Sequence, residues 1–153
     1  MYNQQKHHLE TVQEDFETCP RRAFLEDLGK ELTSFKDAGD KVCLSLDLND
    51  DIRKCKEFLD ILTAARMGDT ILSKHGLHCP PTQRNGSAPI DGLSLSTNTL
   101  YDETGYLPFV EGMSDHRPTW VDIPEEEVYG SVKQASQAFS ARRLKCDDPR
   151  VVK

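Results

Sequence analysis

The chain has 153 residues, 37% of them hydrophobic and 29% charged, and carries a net charge of −7. That length suits one domain with a real core, and no apolar run approaches the roughly 18 residues of a membrane span. The acidic balance excludes a nonspecific nucleic-acid binder working through overall basic charge. A phosphate-bearing ligand must then be held locally, and a metal ion, which reverses the local sign of charge, is the obvious device.

Residues 1–8 lack the apolar core of a signal peptide, so an intracellular, nuclear or cytoplasmic, protein is expected rather than a secreted one. The five cysteines are scattered, odd in number and form no C-x-x-C pair, which reads as reduced thiols rather than a disulfide framework or a zinc site. Basic residues cluster at Arg21 and Arg22 and again at Arg142, Arg143, Lys145 and Arg150, where ordinary solvated surface is the simplest account.

In chain order, residues 3–17 predict a polar helix with Leu9, Val12 and Phe16 on one face. Pro20 suits the first turn of a second helix, in which Phe24, Leu25, Leu28, Leu32 and Phe35 recur at helical spacing. Gly39 can end that helix in a left-handed turn. The period then becomes two: Val42, Leu44, Leu46 and Leu48 share one face of a strand, and Cys43, Ser45, Asp47 and Asn49 share the other. Asp50 or Asp51 can cap a helix carrying Ile52, Cys55, Leu59 and Leu62 inward, closed by Gly68. Asp69 to Lys74 reads as a short helical turn. Residues 79–89 hold three prolines and Gly86 and read as loop. Strands are expected at Ile90–Leu95, Asn98–Asp102 and Pro118–Ile123, with Gly105–Phe109 leading into a turn at Gly112. A last helix starts at Glu125 and runs through Val128, Val132, Ala135 and Phe139. This irregular interleaving implies a mixed, layered α/β domain over 1–140, followed by a basic, loose tail over 141–153.

Three segments carry chemistry. In Leu46-Asp47-Leu48-Asn49 the strand period sets Asp47 and Asn49 side by side, a proton acceptor next to an amide donor; plain helix capping is the competing account. Thr82-x-Arg84 precedes Pro89-Ile90-Asp91-Gly92, where a carboxylate opens an apolar strand and needs a partner unless it lies on an exposed edge. Ser114-Asp115-His116-Arg117-Pro118 places an oxygen ligand beside a titratable base just before a strand, the sharpest of the three, although a polar turn explains it too.

Taken in order, L-D-L-N, P-T-Q-R…P-I-D-G and S-D-H-R-P resemble the endonuclease/exonuclease/phosphatase family, in particular its retroelement-encoded endonucleases, over about residues 5–152. The resemblance implies a partial two-layer sandwich of the deoxyribonuclease-like fold with flanking helices, cutting phosphodiester bonds of nucleic acid, DNA foremost, with Mg²⁺ or Mn²⁺. It implies that Asp47 orients or deprotonates the attacking water, that Asn49 holds a phosphate oxygen, and that Asp91 accepts from His116 and fixes its tautomer. His116 would then serve as acid/base or bind phosphate, and Asp115 would contribute to the metal site. Leu46 stands where the family has glycine. The family's upstream half, with a Glu metal ligand, has no counterpart in the roughly 45 residues before Asp47. The resemblance therefore implies the C-terminal half of a domain, weak alone, with an apolar strand face left uncovered or completed by a second chain. A non-catalytic remnant or binding module of the same fold, and a phosphatase of the same family, are the alternatives.

Overall fold

The computed structural model describes residues 19–130, together with positions 6, 7 and 11. The helix expected over 3–17, the continuation of the last helix beyond Gly130 and the tail over 141–153 otherwise lie outside the described residues.

Helix α1 (Pro20–Ala38) begins at Pro20, whose missing N–H costs nothing in a first turn. It ends at Gly39, which adopts φ 84°. There Asp40 N donates to Phe35 O and Gly39 N to Lys36 O, so the last carbonyls are satisfied. Leu25 and Leu32 form the buried stripe, but Phe24 and Phe35 are 41% and 38% exposed. Their helical spacing predicts an inward position; among the described residues the buried stripe of α1, facing α2 and the sheet, is narrower than that and is carried by Leu25 and Leu32.

Strand β1 (Cys43–Asp47) alternates as its period requires, with Leu44 and Leu46 half-buried and Cys43, Ser45 and Asp47 exposed. The next helix starts later than expected. The Asp51 carbonyl accepts from Lys54 N and Cys55 N in a separate turn, and α2 runs over Lys56–Ala64 with Phe58 and Leu62 inward. Leu59 is only half-buried, so Phe58 takes the place assigned to it. Gly68 does not close this helix. Arg66 makes the left-handed turn at φ 54°, and Gly68 lies inside a short strand, β2 (Met67–Asp69), which pairs with residues 94–96. Pairing across a long sequence separation overrides the local terminator. Asp69 then caps α3 (Thr70–His75) by accepting from Leu72 N at 2.7 Å.

After the loop over 79–89, strand β3 (Asp91–Ser96) runs antiparallel to both β1 and β2, giving the order β1-β3-β2. The strand expected at Asn98–Asp102 is a turn; the strand that forms is β4 (Glu103–Tyr106), paired antiparallel with β5 (Thr119–Asp122). Gly105 in β4 lies close under Trp120, where a Cβ would come 3.2 Å from the ring, tighter than an ordinary contact. Helix α4 (Glu125–Tyr129) stops at Gly130.

The architecture is thus of the mixed α/β class, with small antiparallel sheets. Helices α1 and α2 cover one face of the three-stranded sheet through Leu25, Leu32, Leu48, Ile52, Phe58 and Leu62. A second core joins Ile71, Cys79 and Leu93 to Tyr106 and Val121, so β4 and β5 lie on the opposite face. The uncovered apolar strand face implied by the resemblance is absent from β1 and β3. Leu93 and Leu95 on that face are buried, and what β1 exposes there is Cys43, Ser45 and Asp47. No helix among the described residues is long and apolar enough to cross a membrane.

Candidate functional site

The ends of β1 and β3 build the site. Antiparallel register sets Asp47, the last residue of β1, opposite Asp91, the first of β3. Two carboxylates at one sheet end repel unless a cation or a donor lies between them. His116 supplies the donor: its Nδ1 lies 2.9 Å from Asp91 Oδ2. The three side chains each bring a ligand atom within 4.8 Å of the others. Asp91 and His116 are largely covered, with side chains 17% and 26% exposed, while Asp47 is exposed at the mouth. The Asp91 hydrogen bond holds the imidazole pKa above its ordinary value, against the opposing effect of burial, and the charges of Asp91, Asp47 and Asp115 act in the same direction.

His116 reaches this place because the loop over 79–89 grips its segment. Arg84 N donates to Asp115 O and Arg117 N to Thr82 O, both at 2.7 Å, on either side of a bridge between Gln83 and His116. Thr82, fully buried, also receives Ile90 N at 2.9 Å and Asp91 N at 3.2 Å on its Oγ1. One residue therefore fixes both the start of β3 and the segment that carries His116. Arg117 donates from Nε to Pro81 O and lies 4.3 Å from the centre of the Phe109 ring, which packs the far side of the same segment.

No family model matches this chain, and no curated protein or solved structure matches it.

The geometry sorts the residues singled out in the sequence. Asp47, Asp91 and His116 come together. Asn49 does not continue the strand beside Asp47. The strand stops at Asp47, Asn49 takes φ 53°, and its N–H donates to Asp47 Oδ1 at 3.0 Å. Asparagine tolerates that left-handed conformation, so its side chain does not take the period-two place beside Asp47. Asp115 is exposed and is not one of the three; its carboxylate accepts from Gln83 Nε2 at 3.1 Å, which lowers its pKa. Leu46 packs with the α1–α2 core, away from the site face, so its bulk does not stand over Asp47. Gln83 was not foreseen: nothing in its local sequence marks it, and only the bridge to His116 brings it beside Asp115. The double role of Thr82 was equally hidden, although the residue itself stood out.

Proposed function

We propose that this chain is a divalent-metal-dependent phosphodiesterase acting on nucleic acid, built on a partial deoxyribonuclease-like sandwich of the endonuclease/exonuclease/phosphatase type, and weak on its own because no glutamate joins the candidate ligands among the described residues. The observation that carries the reading is the convergence of Asp47, Asp91 and His116 from three distant segments onto one sheet end. Two carboxylates and an imidazole suit Mn²⁺, and their oxygens suit Mg²⁺ as well. Asp47 and Asp91, with the His116 ring nitrogen, would hold the cation, Asp115 standing close by in sequence. What a bound cation supplies is polarisation of a phosphoryl oxygen and neutralisation of charge on the leaving oxygen.

The protein's own part is proton handling and positioning. Nδ1 of neutral His116 donates to Asp91, which leaves the Nε2 lone pair for the cation; where no cation holds it, the same nitrogen accepts a proton and becomes a donor. Asp47, exposed at the mouth, is the group placed to orient or deprotonate an attacking water. Asn49, one turn beyond it, offers an amide to a phosphate oxygen.

The test is nicking of supercoiled plasmid by purified protein with Mg²⁺ or Mn²⁺, beside His116→Ala. The expected result is metal-dependent nicking that falls by about 10²–10⁴-fold in the variant. Absence of nicking, or equal nicking by both proteins, overturns the reading.

A further inference from the structure

Strand β2 is shorter than β3: its ladder stops where Asp69 pairs with Ser94. Beyond that point the β2-side edge of β3 has no backbone partner among the described residues, yet Leu93 is buried. Successive N–H groups on one edge of a strand come from alternate residues, so Leu93 N and Asp91 N leave β3 on this same side. Thr82 Oγ1 takes Asp91 N. The Asp69 carboxylate takes Leu93 N at 3.0 Å. Where the ladder runs out, three side chains replace it: Thr82 and Asp69 take the two N–H groups, and Thr70 Oγ1 donates to Leu93 O at 2.9 Å.

Asp69 is itself 5% exposed. Its Oδ1 accepts from Leu72 N at 2.7 Å, and its Oδ2 accepts from Leu93 N and, at 3.5 Å, from Ser94 Oγ. Gly92 lies directly on it, so that a Cβ at position 92 would come 2.8 Å from Oδ2. The close approach needs glycine at the residue that follows Asp91. Capping α3 requires only one oxygen and no contact with β3, so the second oxygen and the glycine have another use.

We infer that Asp69 is a positioning residue for the Asp91–His116 pair: with Gly92 as its seat, it clamps β3 at Leu93 and so fixes where the Asp91 carboxylate meets the imidazole. Its catalytic consequence rests on the phosphodiesterase reading, but the positioning itself does not. Thr82 anchors the strand at Asp91 and Asp69 anchors it two residues further on, so Asp91 cannot pivot about a single point.

The test uses Asp69→Ser in the full chain. Serine remains a good helix cap for Leu72 N but is too short to hold Leu93 N as well. The readout is the tautomer of His116, taken from the imidazole ¹⁵N shifts with the ring neutral, together with hydrogen exchange at the Leu93 amide. In the unsubstituted protein the Nδ1–H form dominates, held by Asp91. In Asp69→Ser the Leu93 amide loses protection, and the ratio of Nδ1–H to Nε2–H tautomers falls by at least twofold. An unchanged tautomer ratio with Leu93 deprotected overturns the inference and leaves Asp69 as a cap that closes a backbone group. Should Asp69→Ser fail to fold, Gly92→Ala decides. It keeps every atom of Asp69 but pushes the carboxylate off its seat, and the same fall in the ratio is expected. Retention of the unsubstituted ratio in Gly92→Ala overturns the inference. Nicking is scored separately: a chain that never nicks but loses the tautomer in these variants keeps the positioning role and loses the phosphodiesterase reading.

Discussion

Thr82 shows how much one buried hydroxyl can organise. Its Oγ1 accepts from Ile90 N and Asp91 N, and its carbonyl from Arg117 N. Replacement by valine keeps the shape and the β-branch but removes the acceptor those two N–H groups have among the described residues. A buried donor left unsatisfied costs about 1–3 kcal/mol. Thr82→Val is therefore expected to lower unfolding free energy by about 2 kcal/mol in urea titration. Thr63 makes an internal helical bond to Leu59 O on an exposed surface, and Thr63→Val should stay within about 0.5 kcal/mol. Equal losses in the two variants would show that the Thr82 acceptor contributes nothing beyond propensity. At this scale the sequence was informative about chemistry and poor about conformation. The residue types and order at Asp47, Asp91 and His116 pointed to one site. Nothing local announced that Asn49 turns left-handed, or that Asp69 meets Gly92 across 23 positions, because both depend on where other segments lie.

Elements repeat this contrast between local and distant causes. Pro20 and Gly39 act within their own turns, and both ends of α1 lie where those residues put them. Gly68 had the same local credentials as a terminator, but the pairing of β2 with β3 drew it into a strand and left the left-handed turn to Arg66. The strand expected at Asn98–Asp102 failed for a related reason: β4 forms where β5 can pair with it, from Glu103 onward. Apolar periodicity likewise marks the helices without saying how wide their buried stripes are. Phe58 and Phe24 make that difference measurable. Phe58 is 1% exposed within the α1–α2 core, whereas Phe24 is 41% exposed. Truncation of a buried phenylalanine costs about 3–5 kcal/mol through lost transfer energy and the cavity left behind. Phe58→Ala should lose about that much, and Phe24→Ala less than about 1 kcal/mol, in the same urea titration. A large loss at Phe24 would mean that α1 buries a second stripe against something other than α2.

The whole molecule has to hold two carboxylates face to face at one sheet end while carrying a net charge of −7. Like charges directly opposite across a strand pair are destabilising, by a few tenths to about 1 kcal/mol. His116 relieves part of this when protonated, and its raised pKa reflects the exchange. In metal-free buffer the imidazole charge persists to higher pH than in a free histidine, and once the pH has risen through that raised pKa the charge is lost and the repulsion remains. Asp47→Asn, which keeps the shape and removes one charge, should then be as stable as the unsubstituted chain, or more stable by up to about 1 kcal/mol. A divalent cation held by Asp47, Asp91 and His116 reverses that order. Binding to the folded state alone adds RT ln(1 + [L]/Kd), about 2.7 kcal/mol at a hundredfold excess over the dissociation constant, or about 5–10 °C in Tm for a chain of this size. Mn²⁺ should therefore stabilise the unsubstituted protein and leave Asp47→Asn nearly unmoved, so that the two melting curves change places on addition of metal. Glu126→Gln, in the acidic first turn of α4, is the control for loose binding to surface carboxylates and should respond like the unsubstituted chain. The crossing matters more than either shift alone. Nonspecific screening by a divalent cation would raise all three proteins together, and only a site that includes Asp47 makes the order of stability depend on the metal.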